Sequence, residues 1–140
     1  MAFFLPILFP KVKRVLLIED ESLIRSSLAR ALRQDGVVIS EAQNCQEARE
    51  KLGDQGCDLA IVDLFLEDGM HGLRLIPEIY QRSPGARVIV LTAFGTSEVK
   101  EEAKRAGVDR FYEKPFEITD IRNAVNELLA DRSRPSQGRG

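Results

Sequence analysis

Two hydrophobic periods take turns along this chain. From Arg14 onward, apolar runs of four or five residues alternate with stretches in which apolar residues recur every three or four positions. A run that is apolar throughout suits a strand covered on both faces, and the longer recurrence suits a helix with one buried side. The first strand is expected at 15–18 (VLLI), followed by a helix with Ile24, Leu28, Ala31 and Leu32 inward, capped by Ser22 and stopped by Gly36. A second strand at 37–40 (VVIS) leads to a helix capped by Asn44 with Glu47 as its capping-box partner, burying Ala48 and Leu52. The third strand, 59–63 (LAIVD), precedes a helix carrying Leu73, Ile76, Ile79 and Tyr80, which Pro77 must either delay or kink. The fourth, 88–92 (VIVLT), is followed by a helix with Val99, Ala103 and Ala106 on one face and Gly107 at its end. The fifth, 110–113 (RFYE), precedes a helix capped by Thr119 with Ile121, Ala124, Val125, Leu128 and Leu129 inward.

Strands alternating with helices predict an α/β domain, a five-stranded parallel doubly wound sheet with helices on both faces, because right-handed crossovers deliver the helices there. A chain of 140 residues has room for one such core, expected at 14–131. Residues 1–13 form an apolar leader, far shorter than the ~20 residues of a spanning helix and without the charged start or cleavage site of a secretory signal. It is expected to be disordered or vector-derived, a clamp on a partner or a weak membrane contact being the other readings. Residues 132–140 have no apolar period and are expected to be a flexible tail.

A net charge of −2 offers no field that would draw nucleic acid to this domain. Cys45 and Cys57 stand alone, without a CxxC pair or a histidine at ligand spacing. That disfavours a zinc site and a disulfide framework and points to a reducing cytoplasm.

In a doubly wound sheet the functional crevice lies beyond the carboxyl ends of the strands. Glu19 and Asp20 end the first strand, Asp63 the third and Thr92 the fourth, and Lys114 follows the fifth. Three carboxylates so gathered repel one another and need a compensating cation. Lys114 supplies one charge, and Mg2+, which takes oxygen ligands in octahedral geometry, is the natural second. Such a site suits phosphoryl transfer to a carboxylate, where positioning and charge neutralisation supply most of the catalysis.

The segments LLIEDE, IVDLFLEDGMHGL, VIVLTAFGT and AGVDRFYEKPF, running in order from about residue 14 to 129, resemble the signature blocks of response-regulator receiver domains of two-component signalling, the chemotaxis-Y-like kind with a flavodoxin-like fold. The resemblance implies that Asp63 accepts a phosphoryl group from a sensor histidine kinase or phosphotransfer protein. It implies Mg2+ on Glu19, Asp20, Asp63 and the Phe65 backbone carbonyl, with Thr92 and Lys114 contacting the phosphoryl oxygens and a cis Lys114–Pro115 peptide. Phe111 matches the switch aromatic that turns inward when Thr92 moves, and the expected outcome is partner binding or a homodimer through the face of the fourth helix, fifth strand and fifth helix. Phe65 and Phe94, two residues after the acceptor and the threonine, border the path of a hydrolytic water and are expected to exclude it. The first acid is Glu rather than the commoner Asp, and the loop after Asp63 lacks the frequent proline and is about one residue longer.

Other readings weigh less. A hydrolase of the haloacid dehalogenase kind needs a second acid two residues after its nucleophile, where this chain has Phe65. A pseudo-receiver would lack site residues that are all present here. The expected role is therefore a signalling switch whose only chemistry is Mg2+-dependent self-phosphorylation and slow self-dephosphorylation. His71, the single histidine, has no second ligand at useful spacing and reads as a solvent-facing loop residue. The charges of 98–105 read as a solvated helix face.

Overall fold

The computed structural model describes residues 11–53 and 55–131. Five strands, β1 (Lys13–Ile18), β2 (Val37–Ala42), β3 (Leu59–Asp63), β4 (Arg87–Thr92) and β5 (Arg110–Glu113), alternate with five helices, α1 (Ser22–Leu32), α2 (Cys45–Leu52), α3 (His71–Arg82), α4 (Ser97–Arg105) and α5 (Ile118–Ala130). The strands form one sheet in the order β2-β1-β3-β4-β5, every pairing parallel. The leader's first ten residues and the tail at 132–140 lie outside the described residues, and Lys13, assigned to the leader, is already in β1.

The apolar strands are explained by their two faces. In β1, Leu16 and Ile18 join one buried cluster with Ala60, Val62, Val88 and Val90 and with α2 and α3, while Val15 and Leu17 join another with Leu59, Ile61, Ile89 and Leu91 and with α1 and α5. A fully buried Leu or Ile contributes about 1.5–3 kcal/mol relative to exposure, so both faces of the three inner strands are committed and their register cannot slip by one residue.

Helix starts depart from expectation in two places. Ser22 is the first residue of α1, not its cap; Glu21 occupies the cap position with no side-chain bond to the helix, its carboxylate lying 3.5 Å from the Lys114 ammonium instead. Likewise α5 begins at Ile118 behind Glu117, and Thr119 falls inside its first turn. Asn44 does cap α2, accepting from Glu47 N–H at 2.8 Å, but Glu47 reaches back to the Gln43 N–H, one residue before the cap. Gly36 is left-handed (φ 79°), yet α1 has ended at Leu32 and the glycine serves the turn into β2. Pro77 does not delay α3, which starts at His71 and runs through it.

Candidate functional site

Asp63 is the last residue of β3 and is 2% exposed. Its Oδ1 accepts from the Phe65 N–H at 3.0 Å and its Oδ2 from Lys114 Nζ at 3.1 Å. Glu19, in the turn from β1 to α1, is completely buried. Its N–H donates to the Ala42 carbonyl at 3.0 Å and its Oε2 accepts from the Glu21 N–H at 3.1 Å. Asp20 is exposed beside it, and one oxygen from each of Glu19, Asp20 and Asp63 lies within 4.8 Å of the others. Thr92, also fully buried, ends β4; its Oγ1 accepts from the Phe94 N–H at 3.0 Å and its carbonyl from the Lys114 N–H at 2.8 Å. The Lys114–Pro115 peptide is cis. The parallel register thus brings to one edge of the sheet the five polar residues expected there, Glu19, Asp20, Asp63, Thr92 and Lys114.

The charges are out of balance. Lys114 pairs with Glu19 Oε1 at 2.8 Å, Asp63 Oδ2 at 3.1 Å and Glu21 Oε1 at 3.5 Å, one cation shared by three carboxylates, with Asp20 beside them. Burial, only partly offset by Lys114, pushes the Glu19 carboxyl up to about 7 and holds Asp63 above the usual carboxylate range. For Lys114, burial pulls downward, but Glu19 and Asp63 outweigh it and keep the ammonium above its ordinary value. Glu19 Oε1 has no hydrogen-bond partner of good geometry although it is buried; the ammonium meets it only as an ion pair. A buried carboxylate oxygen in that condition, inside a cluster of three acids, fits a hard divalent cation.

Three features were not legible beforehand. Gly72, the second residue of α3, lies against the acceptor's backbone: a Cβ there would collide with the Asp63 carbonyl oxygen and come within 2.8 Å of the Leu64 Cα, and its N–H donates to the Leu64 carbonyl at 3.0 Å. The loop after Asp63 makes a tight turn in which Leu66 and Gly69 exchange backbone hydrogen bonds, with Glu67 and Asp68 both at positive φ, a conformation usually left to Asn-Gly or Asp-Gly. The Arg25 guanidinium donates to the Glu19 carbonyl at 2.8 Å. A glycine near the acceptor and an Arg one turn into the helix were the only available signals.

The rings of Phe65 and Phe94 meet at 4.8 Å between centroids, tilted by 48°. Phe111 is half-buried against the α3 side of the core and lines a cleft of about 510 Å³ with Lys100, Lys104 and Glu113. His71 is not a loop residue: it opens α3, its ring lying under Gly69. Cys45 is buried and Cys57 half-buried, both free thiols.

The sequence model of the response regulator receiver domain matches residues 15–126. The chain belongs to the response regulator receiver family. Among curated relatives, the receiver is 34% identical over 116 residues to the two-component response regulator PhoP of Pseudomonas aeruginosa, covering 83% of this chain and 51% of that protein. It is 30% identical over 117 residues to the chemotaxis protein CheY of Halobacterium salinarum, covering 84% and 97%. The chain therefore spans about half of one relative and nearly all of another. Among solved structures it resembles the CheY-like receiver domain protein of Methanospirillum hungatei (TM-score 0.77, 26% identity, 85% and 94% covered). It also resembles the response regulator TrrA of Thermotoga maritima in complex with Mg(2+)-BeF (TM-score 0.71, 30% identity, 84% and 100% covered). The receiver's family is one of signalling switches, and among its described residues no helix is long and apolar enough to cross a membrane.

Proposed function

We propose that this receiver, residues 14–131, is a cytoplasmic phosphorylation switch in which Asp63 takes a phosphoryl group from a phosphohistidine of a sensor histidine kinase or phosphotransfer protein. The observation that carries the reading is the buried Asp63 carboxylate, held by Lys114 on one oxygen and the Phe65 N–H on the other within the acid cluster. Glu19, Asp20, Asp63 and the Phe65 carbonyl would hold Mg2+, which when bound neutralises charge on the acids and on the incoming phosphoryl group. An Asp63 oxygen forms the new O–P bond as the P–N bond to the donor imidazole breaks, and the leaving imidazole regains its electron pair and takes up a proton. Lys114 turns from the carboxylates toward a phosphoryl oxygen, and Thr92 exchanges its bond from the Phe94 N–H for another.

Thr92 and Phe111 form the lever. Thr92 pairs with Glu113 in the β4–β5 register, two residues beyond Phe111, so movement of the hydroxyl is passed to the half-buried ring and changes the surface of α4, β5 and α5. Partner docking or homodimerisation there is the output; nucleic acid is not contacted directly by this domain. Phe65 and Phe94, in ring contact, bar the water that would attack the aspartyl phosphate, so the signal is long-lived.

The test is intact-mass spectrometry after incubation with phosphoramidate and Mg2+. Wild type gains one phosphoryl group and Asp63→Asn none, and chelator abolishes the gain; undiminished labelling of Asp63→Asn would sink the assignment.

A further inference from the structure

Arg25 lies one turn into α1, mostly shielded, with 18% of its side chain exposed. Its Nη1 donates to the Glu19 carbonyl at 2.8 Å, and its Nε pairs with Glu41 Oε1 at 3.3 Å. Glu41 stands in β2 opposite Leu17 of β1. One guanidinium therefore ties the start of α1, the end of β1 and the edge strand β2 around a single acidic turn.

That turn needs holding. Residues 19–21 are Glu, Asp and Glu, and repulsion among neighbouring carboxylates favours any rearrangement that separates them. Glu19 cannot relax outward without exposing its place in the core, whereas Asp20 and Glu21 already face solvent. The Glu19 backbone is gripped at both polar groups, the N–H by Ala42 of β2 and the carbonyl by Arg25. The second grip is the one made by a side chain and can be removed alone.

We propose that Arg25 is a positioning residue for the divalent-cation site, fixing the Glu19 carbonyl so that the Glu19 and Asp20 carboxylates stay within reach of Asp63. This rests on the metal-dependent reading above. Its sign is opposite to that of simple electrostatics. If Arg25 acted on the ion through charge alone, deleting it would remove a repulsion and tighten cation binding. As a clamp, its deletion loosens the ligand turn and weakens binding; groups that orient metal ligands typically govern about 10–100-fold in affinity.

The experiment is calorimetric titration of Mg2+ into the full chain, with melting curves taken in chelator. Arg25→Ala is expected to bind Mg2+ about tenfold more weakly than wild type. Arg25→Lys, which keeps the charge and one donor but loses the fork, is expected to fall between them. Glu41→Gln, which removes the ion pair and leaves the carbonyl contact, is expected to stay within about twofold of wild type. Affinity of Arg25→Ala equal to or tighter than wild type would overturn the proposal, as would a loss in Glu41→Gln as large as in Arg25→Ala. Should Arg25→Ala not melt cooperatively, Arg25→Lys carries the test: a several-fold loss supports the clamp and unchanged affinity overturns it. A wild-type protein that binds no Mg2+ would refute the metal reading itself.

Discussion

No side chain fits on Gly72, because a Cβ there would strike the carbonyl oxygen of Asp63 and crowd the Leu64 Cα. The start of α3 is thereby pressed against the backbone of the acceptor. Helix propensity predicts that Gly72→Ala stabilises by about 1 kcal/mol; the clash is with backbone on both sides and wins. Gly72→Ala is expected to lower stability by about 1–3 kcal/mol in urea unfolding, and a gain would show that α3 can shift freely.

Glu19 gives a stability that depends on pH in a stated direction. Its carboxyl sits at about 7 in the folded protein against an ordinary 4.5, chiefly through burial. The folded state keeps a proton that the unfolded chain gives up, so Glu19 favours folding below about 4.5 and that contribution is lost as pH rises to about 7. Metal-free Glu19→Gln is expected to be more stable than wild type at pH ~8, on the order of 1–3 kcal/mol, with the difference shrinking toward pH ~5. Chemical unfolding at several pH values in chelator measures it; a constant difference would contradict the burial argument.

The contact between Phe65 and Phe94 predicts the lifetime of the phosphoprotein. With Phe65→Asn and Phe94→Glu together, polar groups replace the rings and can orient a water. Loss of phosphate, followed by mass spectrometry after removal of donor, is expected to quicken by on the order of tenfold. A double variant that decays no faster than wild type shows that the rings do not gate the water.

At the opposite end of the sheet, Arg87 pairs at 3.4 Å with Asp109, whose side chain is shielded from solvent, and at 3.6 Å with Asp131. Asp109 also accepts from the Val88 N–H at 2.9 Å. Arg87→Met removes the cation while Asp109 keeps its bond from the Val88 N–H, and is expected to lower stability by about 1–3 kcal/mol. Urea unfolding should show it, while phosphorylation by phosphoramidate in the surviving folded fraction stays near wild type.

Phe111→Ala should separate chemistry from output. Labelling of Asp63 is expected to persist, while the NMR shifts that a phosphoryl analogue causes in α4, β5 and α5 shrink severalfold. Shifts of wild-type size in Phe111→Ala would remove the ring from the relay.

Periodicity sufficed for the five strands, the five helices and their alternation, because local hydrophobic spacing reports directly on which faces are buried. The stations at 19, 20, 63, 92 and 114 were legible for a related reason: in parallel sheets, polar residues at strand ends collect at one edge. Cap identities at Ser22 and Thr119 were not, since α1 and α5 begin behind Glu21 and Glu117, neither of which bonds its helix through its side chain. Nor could spacing reveal that Gly72 must touch the Asp63 backbone, that Arg25 grips the Glu19 carbonyl, or that one buried oxygen of Glu19 is met only by the Lys114 ammonium. Sequence alone determined which chemistry is gathered at which edge; only the tertiary structure decided the charge balance and the fit there, because desolvation and contact depend on distances between segments that never meet along the chain.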